Sequence, residues 1–143
     1  KRFTRLTKRK MQITKNFKLK EFECKGYDMP LEVYENIIKL SQQLQTLRDY
    51  TGRAITINSG YRSEAHNRNI GGAHKFVDGK RVETSRHCFG QAADITIESL
   101  KPAEVFRIIE DLIDLGQMLQ GGLGLYKTFC HYDIRGKKAR WYA

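Results

Sequence analysis

The stretch Ser85-Arg86-His87-Cys88-Phe89-Gly90-Gln91-Ala92-Ala93-Asp94 constrains the fold of this chain more than any other. An imidazole and a carboxylate stand seven residues apart in it, separated by the small residues Gly90, Ala92 and Ala93. A second imidazole, His131, lies far downstream in His131-Tyr132-Asp133-Ile134-Arg135-Gly136, which reads as a strand. Two nitrogens and one oxygen of this kind make an open zinc site, in which three protein ligands leave a fourth tetrahedral position for a water acidified toward neutrality. His87, Asp94 and His131 are therefore the expected ligands of one zinc ion, and the fold has to bring them together. Cys24, Cys88 and Cys130 are scattered without C-x-x-C spacing, so a cysteine-rich structural site is not expected and reduced, buried thiols are.

Periodicity places the elements around this set. Residues 31–50 carry apolar side chains at 33, 34, 37, 38, 40, 44 and 47, which predicts an amphipathic helix opened by Pro30 and backing a sheet. Residues 54–59 alternate as a strand ended by Gly60, and Ser63 caps a short helix over 64–70, so Arg62 sits at a strand-to-helix junction. Residues 73–84 form a polar loop whose Asp78-Gly79 turn allows a small hairpin. A strand follows at 92–97, with Asp94 on one face and Ala93 and Ile95 on the other. Pro102 opens a second amphipathic helix to residue 115, and strands are expected near 121–126 and 129–134. The fold class is α+β, an antiparallel sheet flanked by helices, in one domain over residues 11–143.

The formal charge of +10 is concentrated: residues 1–10 hold six bases and no acid, leaving 20 bases against 16 acids beyond them. This basic leader is expected to be flexible and solvated, and nucleic acid is not an expected partner. No apolar run approaches the roughly eighteen residues that span a bilayer. Residues 1–10 lack the apolar core of a secretory signal, so the chain is expected to be cytoplasmic at synthesis or a trimmed secreted or periplasmic form. A monomer is expected.

The motif Ser85-x-His87-x-x-Gly90-x-Ala92-x-Asp94 followed by His131-x-Asp133-x-Arg135 resembles the zinc D-Ala-D-Ala carboxypeptidase family (peptidase M15), peptidoglycan peptidases whose fold is shared with the hedgehog signalling domain. Asn16-Phe17, Glu21-Phe22, residues 44–48, Ile57-Asn58-Ser59-Gly60-Tyr61-Arg62-Ser63, His66-Asn67 and Gly71-Gly72-Ala73 follow in the order that family shows, over residues 12–141. The resemblance implies a metallopeptidase that cuts a peptide bond in the peptidoglycan stem or cross-link, as a D,D-carboxypeptidase or an endopeptidase. A phage-type endolysin fits the compact domain and basic leader.

Arg62 resembles the family arginine that binds substrate near the scissile bond. Ser85 is a candidate hydrogen-bonding partner of the substrate or of Asp94's surroundings, or a turn residue. Asp133 is the candidate general base, since a regular strand puts it on the same face as His131. Its alternatives are to orient a ligand histidine or to pair with Arg135. Part of the resembled family carries an acid three positions before its last histidine ligand, where this chain has Thr128. A rival reading keeps the zinc and the fold but makes the cleft a non-catalytic binding module for a cell-wall or protein partner. His66 and His74 are expected to be structural, and Phe76, Phe89, Tyr126, Trp141 and Tyr142 to be core or cleft wall.

Overall fold

The computed structural model describes residues 11–143, so the basic leader lies outside the described residues. Helix α1, Leu31–Thr51, begins after Pro30 and ends at Gly52, whose left-handed backbone caps it. Strand β1, Ile55–Ser59, leads through Gly60–Arg62 into the short helix α2, Glu64–Asn69, where the Ser63 hydroxyl accepts from the His66 backbone N–H at 3.0 Å. Strands β2, His74–Val77, and β3, Lys80–Glu83, form a separate hairpin. Asp78 and Gly79 close it with positive φ values of 52° and 76°, the geometry of a two-residue hairpin turn. The turn expected from sequence is thus a full two-stranded unit.

A 3-10 turn, Arg86–Phe89, precedes strand β4, Ala92–Ile97. Helix α3, Pro102–Asp114, crosses to β5, Gly122–Leu125, and β6, Cys130–Asp133. The last strand, β7, spans Ala139–Tyr142. The main sheet runs in the order β1-β4-β6-β5-β7. Its first four strands pair antiparallel, as expected, but β7 joins the edge parallel to β5, which makes the sheet mixed.

One face of this sheet is apolar. Ala93, Ile95, Leu123, Cys130 and Tyr132 join Ile37, Leu40, Leu44 and Leu47 of α1 and Val105, Ile109 and Leu112 of α3 in one buried cluster. The side chains between them in sequence point the other way, because alternate residues of a strand take opposite faces. Register decides the rest: Asp94 lies opposite both Ser59 and His131, His131 opposite Gly124, and Gly124 opposite Trp141. A single row across five strands therefore carries the polar chemistry, and the core is set against its back.

Candidate metal centre

His87 reaches this row from outside the sheet. Ser85 caps the 3-10 turn by accepting from the His87 backbone N–H at 3.3 Å, and Gly90 ends it with a left-handed φ of 72°. A Cβ at Gly90 would also press on the Val33 backbone of α1 at 2.7 Å, so this position has no room for a side chain. The segment after β1 fixes both the imidazole and Arg62. Gly60 O accepts from His87 Nδ1 at 2.8 Å, and the Arg62 backbone N–H donates to His87 O at 3.0 Å.

The ligand atoms offered by His87, Asp94 and His131 all lie within 4.8 Å of one another, so the structure brings the three together. Asp94 Oδ1 stands 3.3 Å from His87 Nε2 and 3.1 Å from His131 Nδ1. The far nitrogen of each ring is already committed. His87 Nδ1 faces a carbonyl oxygen, which can only accept, and His131 Nε2 faces the Asp133 carboxylate at 2.7 Å. A neutral His87 therefore carries its proton on Nδ1 and turns the lone pair of Nε2 toward Asp94, while His131 has a carboxylate at each of its nitrogens. Two ring nitrogens and a carboxylate oxygen converging in this way could hold a cation. The mixed nitrogen and oxygen donors fit zinc.

The same carboxylates favour protonation of the rings. Burial pushes the Asp94 carboxyl up, but hydrogen bonds from His131 and His87 outweigh it and hold the group well below the usual carboxylate range. Burial lowers the His131 pKa, yet its bonds to Asp133 and Asp94 leave it raised. Those protons leave when a metal binds.

Asp133 lies on the other edge of the His131 ring. Its Oδ2 accepts from His131 Nε2 and from Arg135 Nη2 at 2.8 Å. Its Oδ1 accepts from the Gly122 N–H at 2.9 Å, the Arg135 N–H at 3.1 Å and Arg135 Nε at 2.9 Å. The carboxylate is fully buried. Burial pushes its pKa up, and the bonds from His131 and Arg135 bring it below the ordinary range. This is the geometry of a residue that orients a ligand histidine and pairs with Arg135, both of which the sequence left open beside the base.

A cleft of about 690 Å³ opens over the three residues. Arg62, Ser85, the loop Gly71–Ala73, Tyr126, Phe129, Arg135 and Trp141 are among the residues that line it. Arg62 Nη1 donates to Ser85 Oγ at 3.3 Å and to Asn67 Oδ1 at 3.0 Å, while its buried Nε has no partner among the described atoms. Tyr126 and Phe129 stack with centroids 4.4 Å apart, and Trp141 Nε1 donates to the Tyr126 hydroxyl at 2.9 Å. The Arg135 guanidinium lies 5.5 Å from the Trp141 ring centroid, a cation–π contact.

Trp141 can sit beside His131, centroids 4.9 Å apart, only because position 124 is glycine: a Cβ there would strike the indole. Gly124→Ala is expected to displace the indole and to cost roughly 1–3 kcal/mol, as overpacking does. Thermal unfolding and the emission of this single tryptophan, which would shift red on exposure, check it.

His66 and His74 are both exposed and stand outside the metal cluster, His74 Nδ1 facing Gly72 O at 2.8 Å. Of the aromatic residues expected in core or cleft wall, Tyr126 and Trp141 line the cleft, whereas Phe76, Phe89 and Tyr142 are exposed. Phe76 is on the free-standing hairpin, Phe89 closes a surface turn near Arg86, and Tyr142 is on the edge strand. Thr128 is exposed in the turn between β5 and β6. The three cysteines are free thiols. Burial pushes Cys88 up to about 11 and, with the nearby Asp94 charge, Cys130 up to about 12, so both stay protonated near neutrality. Glu83 escaped the sequence reading, and Asn67 entered it only in the His66-Asn67 pair of the family pattern; their polarity inside an expected surface helix and loop gave no signal of burial. Among the described residues no helix is long and apolar enough to cross a membrane.

A family model described as Peptidase M15 matches residues 15–133, from the first turns through Asp133. A search of curated proteins finds no match.

Proposed function

Because the chain belongs to the Peptidase M15 family, we propose that it is a zinc-dependent hydrolase of a peptide bond in the peptidoglycan stem or cross-link, acting as a D,D-carboxypeptidase or endopeptidase. The observation that carries the metal reading is the convergence of His87 Nε2 and His131 Nδ1 on Asp94 Oδ1, at 3.3 and 3.1 Å, while the other nitrogen of each ring is held by Gly60 O or Asp133. His87, Asp94 and His131 would hold the ion. When bound, zinc supplies a Lewis acid for the scissile carbonyl and lowers the pKa of water enough to make a nucleophile near neutral pH.

The remaining work belongs to the chain. Arg62 offers a permanent cation whose buried Nε is unspent, suited to a substrate carboxylate or to the oxygen that gains charge as the amide is attacked. Ser85 steadies Arg62 and lines the same wall, where it is in place to meet the substrate. Arg135 adds a second guanidinium, and the Tyr126, Phe129 and Trp141 wall keeps water off the bond. Stem peptides carry free carboxylates, which suits a cleft lined by Arg62, Arg86 and Arg135. We assign Asp133 to positioning His131 rather than to accepting the water's proton, because all its bonds are taken by donors of the fold.

One observation favours the rival reading of a zinc-bearing binding module: among the described residues that line the cleft, Asp94 is the one carboxylate. The two readings separate in one experiment. Purified peptidoglycan is incubated with the zinc-loaded chain, with the chelator-treated chain, and with that chain resupplied with zinc, and the released fragments are weighed by mass spectrometry. Release that chelation suppresses and zinc restores is expected. Intact peptidoglycan that still retains the protein would establish the binding module, and the fragment masses identify the bond.

A further inference from the structure

We propose that Glu83 is a positioning residue for Arg62, acting through the side-chain amide of Asn67; the inference rests on the role assigned to Arg62 above. Asn67, fully buried at the end of α2, stands between the two. Its Nδ2 donates to Glu83 Oε1 at 2.8 Å and to Ala73 O at 3.1 Å. Both amide protons are thereby committed, which fixes the other end of the amide: Oδ1 must face Arg62, and it accepts from Nη1 at 3.0 Å. Without the Glu83 acceptor one amide proton is left unmet and Ala73 O alone opposes a turn that would set the N–H groups against the guanidinium.

Glu83 is gripped in turn. Arg81 donates from Nε to Oε2 at 2.8 Å and from Nη2 to Oε1 at 3.1 Å. Arg68 approaches Oε2 at 3.9 Å. The Arg81 hydrogen bonds dominate and bring the Glu83 carboxyl down to about 2. Every residue of β2 is exposed whereas Glu83 of β3 is buried, so this carboxylate joins the hairpin to the cleft wall. A Cβ at Gly72 would collide with Asn67 Oδ1, so the loop ahead of the hairpin also closes on the amide.

The choice of an amide at the middle position has a chemical use. A carboxylate there would pair with Arg62 and cancel the charge the substrate is to meet. Asn67 lends direction without charge, and the anion is kept one residue further away, on Arg81. Arg62 is aimed by hydrogen bonds to Asn67 and Ser85 and keeps its full positive charge.

The test uses the full, zinc-loaded chain and stem peptides from purified peptidoglycan. Glu83→Ala is expected to move the Arg62 Nε–H and Asn67 side-chain amide signals in nitrogen-proton spectra and to speed their exchange with water. It should lower kcat/KM by roughly tenfold to a hundredfold, the range in which distant mispositioning acts. In an Arg62→Ala background the same change should cost nothing further, since the relay then has nothing to aim. Glu83→Gln keeps an acceptor for Asn67 and is expected to retain most of the activity. Unmoved Arg62 and Asn67 signals, a loss that adds in full to that of Arg62→Ala, or a glutamine variant as poor as alanine would each overturn the proposal. Should Glu83→Ala fail to fold, Arg81→Ala loosens the same carboxylate: displaced Arg62 and Asn67 signals would then uphold the relay, and unmoved ones would overturn it. A wild-type chain that leaves the peptides whole would refute the functional reading, while the spectra still decide the relay.

Discussion

His87→Ala is expected to reduce peptidoglycan hydrolysis to background and to weaken zinc binding by more than the roughly 10–100-fold that loss of a supporting residue costs. The side chain is buried, and its two nitrogens divide their work between the Gly60 carbonyl and the cluster with Asp94. Alanine removes one of the three proposed ligands and leaves Gly60 O without its donor. The second loss costs about 1–3 kcal/mol of stability, as an unmet buried acceptor does. Competition against a chromophoric chelator measures the first effect and denaturant unfolding the second. Zinc affinity equal to that of the unaltered chain would remove His87 from the ligand set.

Asp133→Asn has the next largest expected effect, and it separates positioning from base catalysis. Oδ1 meets three donors and Oδ2 meets two. Whichever way asparagine turns, its NH2 group faces donors it cannot satisfy, and Arg135 loses its partner in a part-buried site. Removing one member of a buried pair costs about 3–5 kcal/mol, which sets the expected destabilisation at the lower end because Arg135 is partly exposed. His131 also loses the acceptor that fixes its tautomer, so zinc affinity is expected to fall by roughly 10–100-fold. A variant that binds zinc and unfolds like the unaltered chain but has lost turnover would return Asp133 to the role of base.

The convergence of His87, Asp94 and His131 is legible in the sequence because few residue types bind metals and because the small residues around them mark close packing. Gly90 illustrates this, with a backbone angle and a contact to Val33 that both exclude a side chain. Strand alternation likewise places Asp94 and His131 on one face and Ala93 and Ile95 on the other. Alternation says nothing of what lies beyond a side chain, so Asp133 could be put on the face of His131 but not told from a base. Strand β7 escaped because its partner β5 is remote and parallel, and the four residues Ala139–Tyr142 are too few for their alternation to mark a strand. The Glu83–Asn67–Arg62 relay escaped for a related reason: it exists only once the hairpin has folded back on α2.

The metal cluster draws on neighbouring strands of one sheet and on a turn tethered to the end of a third strand, with Asp94 and His131 separated by 37 residues in the chain. No local fragment can preassemble it, so an unfolded chain offers the ion only scattered, weak donors. Occupancy and folding are then linked through mass action: free metal at a hundred times its dissociation constant deepens the native well by about 2.7 kcal/mol. Heat resistance titrated against zinc becomes a measure of affinity that requires no substrate at all.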